Sequence, residues 1–242
     1  MKLVRSLAGG LGFLTIWPFA APVSAESVLG FPLAGVLVGL CLVVVRVGAQ
    51  RAGALVVGAL ALAADALVTR GLHYDALADT ADGLGGFMEP AERLAAMDDP
   101  RLGGLGALAL AVTVVVRAAV LGAAGISALG LVLALAWSRS VMGVVVLESP
   151  SAKPGGMTRW FRDASLGVRV ASVSALVVFS AAIVVVEGAP GLFGVCVGTI
   201  AGGLLWLRAT RALGGVTGDV VGAVGIVAET ALIVGVVLGA TH

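Results

Sequence analysis

Seven stretches of this 242-residue chain are each apolar over about the length that a helix needs to cross a bilayer: residues 30–49, 52–69, 103–121, 125–147, 168–186, 189–207 and 219–239. A hydrocarbon core ~30 Å thick takes ~20 residues rising ~1.5 Å each. Within it, backbone N–H and C=O groups must find partners inside their own segment, which selects helices. The breaks carry charges or helix breakers, such as Gln50-Arg51, Gly122 to Gly125 and Glu187-Gly188-Ala189-Pro190. Composition agrees, with 60% hydrophobic residues, a mean hydropathy of +1.11 and only 12% charged residues, about half the ~25% of soluble domains. Glycine and alanine recur inside the stretches and permit close approach of helix backbones. The expectation is an all-α, polytopic membrane helix bundle of about seven transmembrane helices, one domain over 1–242. Segment 6–20 is apolar but short, and Pro18 follows Trp17, so it reads as an interfacial or re-entrant helix.

Basic residues set the orientation. With the N-terminus in the cytoplasm, eleven lie on the inner side: Lys2, Arg5, Arg70, Arg93, Arg101, Lys153, Arg159, Arg162, Arg169, Arg208 and Arg211. Only Arg46 and Arg51 lie outside, while Arg117 and Arg139 fall within spans. The long loops, about 70–102 and 148–167, are then cytoplasmic, and any chemistry faces that side. Fifteen Lys and Arg against fourteen Asp and Glu leave a net charge of +1, too little to attract nucleic acid. Cys41 and Cys196 sit alone in apolar runs and read as packing residues.

Seven of the fourteen acids fall between Asp75 and Asp99. On a helix, Asp79 and Asp82 lie about 40° and −20° from Asp75, so three carboxylates share one stripe. No basic side chain occupies that stripe, and like charges at this spacing repel. Proton uptake relieves the repulsion, and so does a bound divalent cation, for which oxygen ligands suit Mg²⁺ or Mn²⁺. We favour the metal, held by Asp75, Asp79 and Asp82. Gly83-Leu84-Gly85-Gly86 should stop the helix and leave backbone N–H groups free for phosphate. Pro100 keeps Asp99 out of a helix, which places Asp99 and Arg101 on a turn at the mouth of the third span. Arg93, Arg101, Arg139 and Lys153 are candidate phosphate contacts, since a guanidinium fork fits phosphate. Glu229 is a further candidate substrate contact inside a span, while Asp65 and Arg117 each read as a snorkelling side chain or a member of a structural ion pair. Asp219 reads as the N-cap of the last span or as an additional metal or hydroxyl contact.

Three separated motifs resemble the adenosylcobinamide-GDP ribazoletransferase family, also called cobalamin 5′-phosphate synthase. They are Gly71-Leu72-His73 with Asp75 and Leu77-Ala78-Asp79-Thr80-Ala81-Asp82-Gly83; Met97 with Asp99-Pro100-Arg101 and Gly103; and Gly214-Gly215-Val216-Thr217-Gly218-Asp219 with Gly222-Ala223 and Glu229. Departures include Tyr74 and Ala76, where the family usually has Leu and Gly, and Asp98, where a basic residue is common. The resemblance implies a multi-pass enzyme of the prokaryotic inner membrane that uses Mg²⁺. It would join α-ribazole 5′-phosphate (or α-ribazole) to adenosylcobinamide-GDP, release GMP and give adenosylcobalamin 5′-phosphate (or adenosylcobalamin) in vitamin B12 synthesis. His73 and Asp99 are equal candidates for the general base. The lipid bilayer and the two substrates are the expected partners, and a homo-oligomer stays open. The rival reading is a transporter or channel, which intramembrane acids would also serve.

Overall fold

The computed structural model describes residues 2–19, 21–86 and 88–241, and these are organised as ten α-helices and two short 3-10 helices. Helix α1 (Lys2–Leu14) leads through a 3-10 turn (Ala25–Gly30) into α2 (Phe31–Ala49). Next come α3 (Ala54–Val68), α4 (Leu72–Gly85) and the short α5 (Pro90–Met97). Four long helices follow: α6 (Gly104–Gly122), α7 (Ala128–Glu148), α8 (Leu166–Glu187) and α9 (Ala189–Leu213). A 3-10 turn (Met157–Phe161) lies in the α7–α8 loop, and α10 (Gly218–Gly239) closes the chain.

Six segments are long and apolar enough to cross a membrane: α2 with its preceding 3-10 turn, α6, α7, α8, α9 and α10. The seventh expected span, 52–69, does not stand alone. Helix α3 has 15 residues and reaches ~22 Å at ~1.5 Å per residue. It passes the same test only together with α4, and the two are bent by 89°. The bend is made by consecutive left-handed residues, Arg70 (φ 57°) and Gly71 (φ 66°). Glycine adopts that conformation without strain and arginine does not. Helix α4 therefore departs from the line of α3 and lies outside the straight spans, carrying the acidic stripe with it. The expected short N-terminal helix is present as α1, which packs against the 3-10 turn before α2.

Helices α7 and α10 form the centre of the bundle, and α6, α8 and α9 turn Val112, Val177, Val185, Ile200 and similar side chains outward. One apolar cluster gathers Leu14, Phe31, Met142, Val146, Phe161 and Val221. A second holds Leu42, Leu121, Leu131, Leu135, Leu232 and Ile233. Glycine lets the helices close: a Cβ at Gly58 of α3 would run into the backbone of Ala118 in α6. Cys196 faces outward on α9 and Cys41 is half-buried, so the expected core-packing role does not extend to Cys196.

Candidate active site

The bend at Arg70-Gly71 presents one side of α4 to an open cleft of about 740 Å³. Its walls include Arg70, Tyr74, Asp75, Asp79, Asp98, Asp99 and Arg101. The stripe predicted from spacing is helical throughout, with Asp75 exposed and Asp79 and Asp82 half-buried. Among the described residues, neither the Asp75 nor the Asp79 carboxylate has a hydrogen-bond partner. Burial, then the nearby carboxylates of Asp75, Asp219, Asp82 and Asp98, push the Asp79 carboxyl up to about 6. Three helices thus bring five acids into one field.

Asp82 is engaged differently. It accepts backbone N–H bonds from Gly103 and Gly106, each at 2.8 Å. It therefore fixes α4 to the positive N-terminal end of α6. Asp219 is not the N-cap of α10. Thr217 takes that place, accepting from Val220 N at 3.2 Å. The Asp219 side chain is left to border a small cavity of about 50 Å³ beside His73, Met157 and Phe161. Lys153 reaches the site because Ala152 and Val216 are paired through backbone bonds, Ala152 N to Val216 O at 3.0 Å and Val216 N to Pro150 O at 2.9 Å. Its Nζ donates to Asp98 at 2.5 Å. Asp98 is the cleft residue that the sequence did not single out; only its position beside Asp99 hinted at it.

Both candidate bases have surroundings that alter their proton affinity. The side chain of His73 is 3% exposed with Nε2 unpartnered. Burial, then the charge of Arg139, push its imidazole down to about 3, which leaves it neutral but a weak proton acceptor. Asp99 is clasped by Arg101, whose Nε donates at 2.9 Å and whose Nη2 donates at 2.6 Å. Those bonds hold the Asp99 carboxyl down to about 2.

Three expected phosphate or substrate contacts also change meaning. Arg93 donates to the carbonyls of Gly83 (3.0 Å) and Gly86 (2.8 Å). The glycine run is thus the last turn of α4, presenting carbonyls rather than free N–H groups. Arg139 and Glu229 are interior ion-pair partners with side chains 4% and 1% exposed. Arg117 joins them, donating to Asp65 at 2.8 Å and to Glu229 at 2.7 Å. Tyr74 Oη donates to Asp65 at 2.7 Å and accepts from Arg117 Nε at 3.0 Å. This network ties α3, α6, α7 and α10 to α4, and of the two readings for Asp65 and Arg117 it selects the ion pair over snorkelling.

Among the described residues, no three acidic, histidine or cysteine side chains close on one point as a ready-made metal cage. The donor set nonetheless fits a hard divalent cation: it is all oxygen, two carboxylates are free, and burial together with the surrounding carboxylates raises the Asp79 pKa.

Polar groups gathered at one end of a bundle of apolar helices define a polytopic membrane protein with a cleft at one face. Residues 6–237 match the profile of the cobalamin-5-phosphate synthase family, and the chain belongs to that family. Three curated relatives are called adenosylcobinamide-GDP ribazoletransferase. The protein of Syntrophobacter fumaroxidans is 36% identical over 92% of this chain and 94% of its own. That of Roseiflexus sp. is 35% identical over 95% and 88%, and that of Pseudomonas syringae pv. tomato 36% over 92% and 93%. No solved structure matches.

Proposed function

We propose that the acid-lined cleft joins α-ribazole 5′-phosphate (or α-ribazole) to adenosylcobinamide-GDP and releases GMP, with Mg²⁺ as the cofactor and Mn²⁺ as its substitute. The observation that carries this reading is the convergence of Asp75, Asp79 and Asp98 on a cleft large enough for a diphosphate ester, with the first two unpartnered and with Asp82 and Asp219 near enough to raise the Asp79 carboxyl. The ribose 3′-hydroxyl attacks the phosphorus bound to the cobinamide aminopropanol. A P–O bond forms there as the hydroxyl releases its proton to solvent, and the bond from that phosphorus to the bridging diphosphate oxygen breaks, so that this oxygen leaves as part of GMP. Such transfers are driven by positioning and by neutralisation of charge on the diphosphate.

Asp75 and Asp79 would hold the cation, and Asp82 would lend a lone pair beyond those that fix it to α6. A divalent ion bound there supplies positive charge to the diphosphate oxygens. Lys153 and Arg101 flank the cleft as phosphate contacts, each held by a carboxylate that the substrate would displace. The bond from Asp82 to the start of α6 and the bonds from Tyr74 to the interior network orient α4. The cleft and the N-terminus face the cytoplasm, supported by eleven basic residues on that side against two on the other. A transporter gains no support, since the intramembrane Asp65, Arg117, Arg139 and Glu229 are paired with one another.

Purified chain in detergent tests the proposal. GMP release from adenosylcobinamide-GDP should require both α-ribazole 5′-phosphate and Mg²⁺. Asp79→Asn should lower it by ~10³-fold or more, the scale of a lost electrostatic contact to a transferring group, at unchanged expression. Wild-type turnover by this variant would refute the assignment.

A further inference from the structure

A second polar cavity, about 500 Å³, opens between α5 and α9 and shares no lining residue with the acidic cleft. It is lined by Arg93, Leu204, Leu207, Arg208, Arg211 and Ala212. Among the described residues no carboxylate lines it, so three arginines border one space with no acid beside them.

We propose that Arg93, Arg208 and Arg211 form a binding site for the phosphate headgroup of an anionic membrane lipid. Residues 204, 207, 208 and 211 recur at helical spacing on one face of α9. Along that face the apolar pair Leu204 and Leu207, 63% and 46% exposed, gives way to the basic pair toward the end of the span. A lipid has the same layout, with an acyl chain against the leucines and a phosphate at the arginines. Basic pockets beside helix ends on the inner leaflet suit anionic headgroups.

Two of the three side chains are held in place beforehand. Arg93 donates to Gly83 O and Gly86 O, and Arg208 donates to Leu84 O at 2.8 Å. A guanidinium has five N–H donors, so both retain donors for phosphate oxygens. Arg211 is exposed and has no partner among the described residues. The carbonyls that Arg93 and Arg208 hold belong to the last turn of α4, so a bound headgroup would steady the helix that carries Asp75, Asp79 and Asp82. This inference rests on the membrane placement of α9 and not on the chemistry assigned to the cleft.

The test uses the full chain in nanodiscs of phosphatidylcholine alone or mixed with phosphatidylglycerol. It reads the thermal midpoint and, by native mass spectrometry, the lipid retained after release into detergent. Phosphatidylglycerol should raise the midpoint and remain bound. Arg211→Gln, which removes no internal contact, should weaken retention about fivefold, the worth of one basic residue at an anionic surface. Arg208→Gln with Arg211→Gln should weaken it about 25-fold. Equal retention by wild type and both variants would overturn the proposal. So would reproduction of the midpoint shift by inorganic phosphate or GMP in phosphatidylcholine, which would assign the site to a soluble phosphate. Loss of transferase activity in Asp79→Asn leaves this readout unchanged, so the two proposals fail separately.

Discussion

At the scale of single residues, the acids divide by what opposes their charge. Asp99 has Arg101, Asp82 has two backbone N–H groups, and Asp65 and Glu229 have buried arginines. Asp79 has no such partner, and the charges that shift it are those of other acids. Its carboxyl, near 4 in an unfolded chain, rises to about 6 in the fold. The folded, cation-free chain then binds more protons than the unfolded chain between those values, so its stability falls as pH rises from about 4 to about 6. A divalent cation reverses the balance by favouring the ionised form. Thermal melts without cation should therefore decline over that window. Mg²⁺ should stabilise strongly at pH 7.5 and little at pH 5, because the proton and the ion compete for Asp79. An Mg²⁺ shift of equal size at both pH values would contradict this. The stripe itself was legible because helical periodicity alone determines which side chains share a face. The partners of Glu229 were not, since Arg139 and Arg117 lie 90 and 112 residues away, and no local pattern encodes such pairings. Removing one charge shows what they contribute. Arg117→Met leaves two carboxylates facing a single arginine in the interior and should cost about 3–5 kcal/mol. Arg117→Met with Glu229→Leu should recover most of that in the same unfolding assay.

At the scale of elements, α4 does the positioning, and it is also where sequence reading fell short. Hydropathy located the apolar run at 52–69 and the polar run after it, but not the 89° corner between them. That corner needs Arg70 to take a left-handed conformation, which its sequence neighbourhood does not announce. Arg70 is held there by donating to Phe13 O at 3.1 Å, a contact with a helix far away in the chain. The other end of α4 is fixed by Asp82. Asp82→Ala removes two charge-assisted bonds to the start of α6. At ~1 kcal/mol for a lost cap, and up to ~2 kcal/mol in favourable cases, it should destabilise the fold modestly. Its effect on GMP release should be much larger than that loss explains, because the stripe loses its anchor. Asp82→Asn retains one acceptor oxygen but turns its NH2 toward the other backbone N–H, so it should keep at most one of the two bonds and also impair turnover. Full activity in Asp82→Ala would mean that α4 is placed by the Tyr74 network alone.

At the scale of the whole molecule, the asymmetry of charge and the asymmetry of the fold coincide. Acids and glycines that end helices gather where α4, α6 and α10 begin and α9 ends, and the opposite turns are short. The turn at Gly188 joins α8 to α9 with a single residue at φ 66°, and the 3-10 turn Met157–Phe161 lines the small cavity beside Asp219. Such an arrangement fits a substrate delivered from one compartment only, and under the proposed orientation that compartment is the cytoplasm. Two substituted cysteines decide the matter in a background where Cys41 and Cys196 are replaced by serine. Ser151→Cys lies in the loop that carries Lys153, and Ala189→Cys lies at the opposite turn. A membrane-impermeant maleimide should label Ala189→Cys in spheroplasts and Ser151→Cys only in inverted vesicles. The reverse pattern would place the acidic cleft outside, away from the nucleotide chemistry proposed for it, and would overturn the orientation along with the role of the inner-leaflet arginines.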